Sequence, residues 1–218
     1  MSVEVETKDC SALTEDELLA MSEVGGAFGP ELLAKAKEDW VLCTLASESG
    51  RLHGYTFSTL ERIGGTPCVL IGLMCVRRTA KRDSVLKGLM SEAFHRALMA
   101  FPDEDVVVGS RFVNPDGLEA FKQLSELIPR PGHRAVGEER AWGRRLARRF
   151  GVDATYDEKT FLVAKKARSG FLDHESAKPG KTKPEVAALF TGIDHGAGGV
   201  IIIHGWTMAE DLLKLGQR

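Results

Sequence analysis

The sequence TPCVLIGLMCVRRTAKRDSVLKGLMSEAFHRALMA, residues 66–100, contains the pattern that decides the fold. Residues 68–76 are apolar except for one glycine, which predicts a buried strand. A basic loop follows over residues 77–84, and a helix is predicted to begin at about Ser84 and to end before Pro102. Its apolar residues recur at the spacing of one helix face: Val85, Leu86, Leu89, Met90, Ala93, Phe94, Ala97 and Leu98. Asp83 or Ser84 is predicted to cap the first turn.

The junction between this strand and this helix predicts an anion-binding site. The first amides of a helix have no partner inside the helix, and the helix dipole places positive charge at the same end. Arginine and lysine residues crowd the loop that leads into it. A diphosphate is the kind of group that such a turn binds.

The segments around residues 66–100 predict an α+β fold. Upstream, residues 40–46, 51–60 and 67–76 are predicted to form strands joined by tight turns. Downstream, a strand over residues 105–115 is followed by a predicted helix over residues 116–127. The N-terminus is predicted to form a helix capped by Thr14 and a second helix from Pro30 to Asp39. This order of elements is that of a sheet with helices packed against it.

Over residues 40–127 the chain resembles the GNAT superfamily of acyl-CoA-dependent N-acyltransferases. The turn of that family reads Arg/Gln-x-x-Gly-x-Gly/Ala after the fourth strand, and Lys81-Arg-Asp-Ser-Val-Leu86 aligns with it. Ser84 and Leu86 occupy the two small-residue positions, where glycine lets the backbone approach phosphates. The resemblance implies a GNAT-like mixed central sheet flanked by helices, and acetyl-CoA or another acyl-CoA as substrate. It implies that the following residues bind it: Cys75, Val76, Lys81, Arg82, Asp83, Ser84 and Val85.

A second similarity to the family lies after the predicted strand 105–115. Members commonly carry Asn-x-x-Ala-x-x-x-Tyr there, and this chain has Asn114-Pro-Asp-Gly-Leu-Glu-Ala-Phe121. In many members the tyrosine protonates the departing CoA thiolate. Because a phenyl ring has no proton to donate, either another group or water protonates the thiolate here, or the protein does not perform the usual transfer.

The resemblance implies direct attack of an amine on the thioester carbonyl, assisted by a base. Glu61 is the first candidate for this base, because it follows a predicted strand that borders the cleft, and His53 and His95 are the alternatives. Arg111 and Asn114 end the second crossover strand, where α/β sheets commonly place ligands. They are predicted to orient an anionic acceptor group or the cofactor.

Composition limits the other function classes. The 218 residues are 43% hydrophobic and 28% charged with a formal net charge of -2, which is typical of a single soluble domain, predicted here to span residues 1–218. The chain has no apolar run of membrane-spanning length, and the cytoplasm is the expected location. The four cysteines lack metal-site spacing and are predicted to be reduced and buried, and no metal site is expected among the loop residues His174, Glu175, Asp194 and His195.

The C-terminal third adds elements that the family resemblance does not cover. A helix is predicted from about Gly137 to Phe150, strands over residues 160–165 and 200–204, and a final helix over residues 208–215. Residues 167–184 are predicted to form a long polar loop. The helix 137–150 carries a basic row, Arg140, Arg144 and Arg148, for which a solvated surface is the simpler interpretation and nucleic acid or another polyanion the alternative.

Two functions follow from the sequence. The resemblance implies the first, which is transfer of an acyl group, with acetyl as the first candidate, from acyl-CoA to an amine acceptor. The alternative is a protein that keeps the fold but has lost the usual transfer, and acts as a binding or accessory protein or on a different small metabolite. The expected partner is a small-molecule or amine acceptor, and a homodimer is the alternative to a monomer.

Overall fold

The computed structural model describes residues 3–25, 28–165 and 182–216. Eight strands form one mixed sheet: β1 Glu4–Asp9, β2 Leu42–Glu48, β3 Arg51–Ile63, β4 Thr66–Val76, β5 Val106–Phe112, β6 Ser125–Ile128, β7 Leu162–Val163 and β8 Val200–Thr207. The helices are α1 Glu15–Ser22, α2 Pro30–Asp39, α3 Arg82–Ala100, α4 Gly137–Arg149, the short α5 Pro184–Ala187 and α6 Ala209–Leu215. The predicted α+β class, with a mixed central sheet flanked by helices, is confirmed.

The strand order across the sheet is β1-β2-β3-β4-β5-β8-β6, with β7 also paired to β8. Strands β1 to β4 form an antiparallel meander. Strand β5 is parallel to β4, because α3 returns the chain to the end of the sheet at which β4 begins. Strand β8 then inserts antiparallel between β5 and β6. The meander and the strand–helix–strand unit therefore meet at β4, the centre of the sheet.

The two faces of the sheet have separate cores. One core packs α1, α2 and α4 against the sheet through residues such as Leu33, Trp40 and Leu146. The other packs α3 and α6 through residues such as Leu89 and Leu212. Alternate side chains of β4 and β5 enter opposite cores, as the period of two in a strand requires.

The two N-terminal helices confirm the capping signals in the sequence. The Thr14 hydroxyl accepts a hydrogen bond from the Glu17 amide at 3.2 Å, and the Glu17 carboxylate accepts one from the Thr14 amide at 2.9 Å. This reciprocal pair is a capping box. Helix α2 begins at Pro30 and ends at Asp39, as predicted.

One strand was not predicted, and three local predictions need correction. Residues 4–9 form β1, an edge strand that the charged alternation of the segment concealed. Helix α3 begins at Arg82 after Lys81, so that Asp83 and Ser84 lie inside its first turn and neither caps it. The predicted helix 116–127 is a 3₁₀ helix, Pro115–Phe121, followed by β6, because residues 125–128 pair with β8. The predicted strand 160–165 is reduced to β7, since Phe161 has a φ of 63° and interrupts the extended backbone.

Candidate functional site

The site begins where β4 and β5 separate. Their main chains pair at only three positions, Cys68 with Val107, Val69 with Val108 and Leu70 with Gly109. Beyond them β4 continues to Val76 and β5 to Phe112 without a pairing between the two. The result is a wedge-shaped gap, here called the splay, which opens toward the carboxyl ends of both strands. Ligands of α/β sheets commonly bind at such an edge.

A bulge in β4 lies beside the splay. Thr56 pairs with Met74 but Ser58 pairs with Ile71, so Phe57 of β3 faces two residues, Gly72 and Leu73. A Cβ atom at Gly72 would lie 2.1–2.7 Å from atoms of the Trp40 indole ring, which therefore rests directly on the glycine backbone. The bulge accommodates the ring only because residue 72 has no side chain.

Two buried hydroxyls hold the carbonyl groups of this part of β4. Ser110, from β5, donates to the Ile71 carbonyl at 2.6 Å and is 1% exposed. Thr56, from β3, donates to the Leu73 carbonyl at 2.8 Å and is fully buried. The Ser110 bond is the first contact beyond the last paired position, so a side chain marks the vertex of the splay.

A basic turn lies at the open end of the splay and leads into α3. The Arg77 guanidinium donates from Nε to the Leu52 carbonyl at 2.9 Å, which anchors the start of the turn to β3. The Thr79 hydroxyl accepts from the Lys81 amide at 3.3 Å, and the Lys81 ammonium pairs with Glu48, whose pKa it lowers. Arg82 pairs with Asp83 at 2.6 Å within the first turn of α3.

The 3₁₀ helix Pro115–Phe121 faces this turn from the other strand. Burial raises the pKa of Asp116, and the positive charges of Arg78 and Arg82 act in the opposite direction. The carboxylate is therefore within electrostatic reach of the basic turn. Basic and acidic side chains from two segments thus border the open end of the splay.

A cavity of about 230 Å³ lies between α3 and the 3₁₀ helix. Its walls on α3 include Ser84, Leu86 and Lys87, and its opposite wall includes Glu119 and Lys122. Leu86 is 3% exposed, so its side chain belongs to the core beneath α3 rather than to the turn. Leu86, which occupies a small-residue position of the family's turn, therefore lines the side of this cavity that faces the core.

The structure separates the predicted cofactor-binding residues into two groups. Lys81, Arg82, Asp83 and Ser84 lie together at the start of α3. Val76 and Val85 are buried in the core beneath α3, and Cys75 is buried in the opposite core, where its thiol donates to the Val24 carbonyl at 2.9 Å. The Cys75 side chain therefore lies on the face of the sheet opposite to α3.

Glu61, the predicted base, lies away from the open end. It pairs with Cys68 on β4, whereas the turn follows Val76 at the other end of that strand. Both carboxylate oxygens of Glu61 accept hydrogen bonds from Arg149 of α4, at 2.6 and 2.9 Å. Glu61 therefore links the sheet to the end of α4.

The two alternative bases, His53 and His95, lie in different parts of the structure. The Nδ1 atom of His53 is buried and has no hydrogen-bond partner among the described residues, and the His53 carbonyl accepts from the Arg77 amide at 2.8 Å. His95 lies on α3 against Gly216. His53 is thus the nearer of the two to the basic turn.

Arg111 and Asn114, which were predicted to act together, lie in different surroundings. Arg111 is 3% exposed, and its guanidinium lies 4.4 Å from the centre of the Phe150 ring, on the face covered by α4. Burial and Arg149 lower its pKa to about 9 while Asp39 acts in the opposite direction, so the group is charged at neutral pH. Asn114 precedes the 3₁₀ helix and its carbonyl accepts from the Gly117 amide at 3.3 Å.

Phe121 is fully buried, with its ring edge-on to Phe112 at a centroid distance of 5.2 Å. It is a core residue, and a tyrosine hydroxyl has no counterpart at this position.

The basic row of α4 is partly compensated. Arg144 pairs with Glu158, and Arg140 lies 3.9 Å from the same carboxylate. Arg145 stacks on Trp142 at 4.8 Å. The contacts with Glu158 favour a structural role for Arg140 and Arg144, and binding of nucleic acid to the row stays a prediction.

Within residues 3–25, 28–165 and 182–216, no cluster of three or more histidine, cysteine, aspartate or glutamate side chains is arranged to hold a metal ion. Across the same residues, none of the helices combines the length and the apolar character needed to span a bilayer. The predicted loop 167–184, with His174 and Glu175, lies mostly outside the described residues.

Comparison with solved structures finds N-acyltransferases. An acyl-CoA N-acyltransferase from Pseudomonas aeruginosa is 18% identical over 50% of this chain and 80% of its own, with a TM-score of 0.38. A Bacillus subtilis acetyltransferase in complex with CoA is 13% identical over 95% of this chain and 100% of its own, with a TM-score of 0.44. A GCN5-related N-acetyltransferase from Kribbella flavida is 14% identical over 98% and 67%, with a TM-score of 0.34.

The Kribbella flavida structure is a GCN5-related N-acetyltransferase, the family that the sequence resembles. At these identities and TM-scores the similarity carries no argument about the reaction, which must come from the residues of this chain. No family model and no curated protein matches the sequence.

The bulge at Gly72 and the hydroxyl of Ser110 are the site features that sequence reasoning missed. Both left a signal. A glycine inside an apolar strand is typical of a bulge or of close packing, and Ser110 interrupts a run of apolar residues in β5.

Proposed function

We propose that this protein transfers an acyl group, with acetyl as the first candidate, from acyl-CoA to an amine acceptor. The observation that carries the proposal is the splay, which opens from Leu70 and Gly109 toward a basic turn at the start of a 19-residue helix. An extended chain with an anionic end matches such a gap, because exposed strand edges pair with extended ligands and helix amino termini bind phosphates.

The chain's own residues would divide the work of binding. The first-turn amides of α3 would bind the diphosphate, supported by the charges of Lys81 and Arg78. From residue 71 to residue 76, β4 offers an edge about 17 Å long at the rise of an extended strand. The cavity beneath Ser84 and Lys87 would receive a further part of the nucleotide.

Binding of CoA is the direct test. Thermal unfolding is measured with acetyl-CoA, longer acyl-CoAs, free CoA and no ligand. At a concentration a hundred times its dissociation constant, a ligand that binds only the folded state stabilises it by about 2.7 kcal/mol, which raises the midpoint by roughly 5–10 °C in a chain of this size. We expect this shift with CoA species.

The variants Lys81→Ala and Arg78→Ala should each weaken CoA binding by about tenfold, because each removes one positive charge from the turn. Lys214→Ala is the control, since Lys214 is an exposed residue of α6 paired with Asp211. A millimolar excess of every CoA species without any shift in the wild type would refute the acyltransferase proposal and favour the alternative of a binding protein.

The role of Glu61 is tested separately. Its side chain is 25% exposed and that of Arg149 is 36% exposed, so the ion pair between them contributes less than about 1 kcal/mol. We expect Glu61→Gln to lower the free energy of unfolding in urea by no more than this. A Glu61→Gln protein that keeps its stability and CoA binding but no longer acylates a panel of primary amines would identify Glu61 as the base.

A further inference from the structure

The vertex of the splay contains a group that neither the family pattern nor the binding proposal uses. Ser110 is 1% exposed and lies one residue beyond Gly109, the last residue of β5 that pairs with β4. Its hydroxyl group spans the gap to the Ile71 carbonyl at 2.6 Å. A side chain thus closes the splay at the point where main-chain pairing stops.

The position of Ser110 is fixed from the other side. Strand β5 pairs with β8 along its whole length, and Ser110 itself is opposite Ile203. The backbone of Ser110 is therefore held by β8 and would stay in place if β4 moved. Within the side chain, the hydroxyl hydrogen can still turn about the C–O bond. A hydroxyl that donates one bond still has two lone pairs and can exchange its acceptor without a movement of heavy atoms.

An acyl-CoA bound as proposed would bring its sulfur to this vertex. Its anionic end would lie at the turn after Val76, and the extended arm would run along β4 toward the paired residues. The arm cannot pass Leu70 and Gly109, because there the two strands are hydrogen-bonded to each other. The reacting end is thereby confined to the neighbourhood of Ile71 and Ser110.

The usual donor for the departing sulfur is missing at this vertex. Phe121 has no hydroxyl, and it is buried against Phe112. Cys75 points into the opposite core and donates to Val24. The Thr56 hydroxyl approaches β4 from β3, the side away from β5.

We propose that Ser110 is a catalytic residue that stabilises the departing CoA thiolate by a hydrogen bond from its hydroxyl group. This inference rests on the proposed acyl transfer. The amine nitrogen forms a bond to the thioester carbonyl carbon, the carbon–sulfur bond breaks, and sulfur keeps the electron pair. The proton of the amine passes to water. Ser110 remains a hydroxyl throughout, and its hydrogen turns from the Ile71 carbonyl to the sulfur.

If Ser110 has this role, the affinity of the protein for free CoA depends on pH. This dependence can be measured without knowing the acyl acceptor. A thiol such as that of the cysteine side chain titrates at about 8.5. If Ser110 donates to the thiolate, the wild type binds CoA more tightly as the pH rises through this range, relative to desulfo-CoA, which has no thiol. A hydrogen bond to a charged group corresponds to an increase of about tenfold or more in affinity.

Calorimetric titration of CoA and desulfo-CoA at about pH 7 and about pH 9.5 measures this difference in the wild type and in Ser110→Ala. In the wild type we expect the affinity for CoA to rise about tenfold relative to that for desulfo-CoA between the two pH values. In Ser110→Ala the affinities for the two ligands should change with pH to the same extent. Thr56→Val is the matched control, because it removes a buried hydroxyl bonded to the same strand from the other side, and it should keep the gain. Ser110→Cys, which keeps a weaker donor, should show a smaller gain.

The outcomes separate the two proposals. If the wild type binds neither ligand, acyl transfer fails and the role of Ser110 falls with it. If the wild type binds both ligands but Ser110→Ala keeps the full pH-dependent gain, only the role of Ser110 is refuted. Should Ser110→Ala not fold, an undiminished gain in Ser110→Cys refutes it equally.

Discussion

The substitution Gly72→Ala is expected to destabilise the protein by about 3 kcal/mol or more, because overpacking of a rigid site is costly. The new methyl group would lie 2.1 and 2.2 Å from two atoms of the Trp40 ring. Trp40 is 6% exposed and its ring cannot turn away into solvent without opening the core between α2 and the sheet. Either the ring or the bulged backbone of β4 must move. Urea denaturation at neutral pH measures the loss.

The matched control for Gly72→Ala is Gly137→Ala. A Cβ atom at Gly137 meets no other atom within 4 Å, and the residue is the first of α4. This change should leave the free energy of unfolding within about 0.5 kcal/mol or raise it, since alanine favours a helix over glycine. The double variant Trp40→Leu, Gly72→Ala should lose less than the sum of the single losses by at least about 1 kcal/mol. Additive losses would show that the indole ring is not what excludes a side chain from residue 72.

The same substitution also bears on the proposed function. Gly72 and Leu73 form the bulge directly after Ile71, whose carbonyl is bonded by Ser110. A displaced bulge therefore alters the wall of the splay, so Gly72→Ala should bind CoA more weakly than Gly137→Ala at a temperature where both are folded.

The elements of the fold that sequence reasoning predicted are those with a strong local pattern. The apolar run of β4 and the helical spacing after residue 82 are each contained in fewer than twenty residues, and hydrophobic periodicity decides them. Strand β1 lacks such a run, because its exposed positions carry charge and only the pairing of Thr7 with Thr44 and its neighbours makes it a strand. The same cause explains β6, which forms because β8 offers a partner.

The sequence predicts the basic turn and the helix that follows it, but not the contacts that surround them. The basic turn is adjacent in sequence to the helix that it opens, so residues 81–84 lie together at the start of α3, and their role in binding stays a prediction. The contact of Glu61 with Arg149 joins residues 88 positions apart and leaves no trace in either segment. The Trp40–Gly72 contact and the Ser110–Ile71 hydrogen bond depend on how three strands and a helix meet, and a pattern along one segment carries no information about that meeting.

His204 should make the stability of the protein depend on pH in the mildly acidic range. The ring is 1% exposed, and Nε2 lies 3.1 Å from the Glu139 carbonyl. Because a carbonyl only accepts, Nε2 carries the hydrogen and Nδ1 is the atom that must take the second proton. Nδ1 is buried without a hydrogen-bond partner among the described residues. Burial therefore lowers the pKa of His204 from 6.5 to about 4, while the contact with Glu139 acts weakly in the opposite direction.

The sign of this dependence follows from proton binding in the two states. Between about pH 6.5 and pH 4 the unfolded chain takes up a proton at His204 and the folded chain does not, so the free energy of unfolding falls as the pH falls through that interval. The full difference corresponds to about 3 kcal/mol.

His204→Gln lacks the titrating group, and its amide nitrogen retains a donor for the Glu139 carbonyl. Urea denaturation from pH 7.5 down to pH 4.5 should therefore show a steeper loss in the wild type than in His204→Gln. Parallel losses in the wild type and His204→Gln would mean that His204 takes up its proton as readily in the folded protein as in the unfolded chain, and that the acid sensitivity arises elsewhere, for example at the half-buried pair of His133 and Glu139.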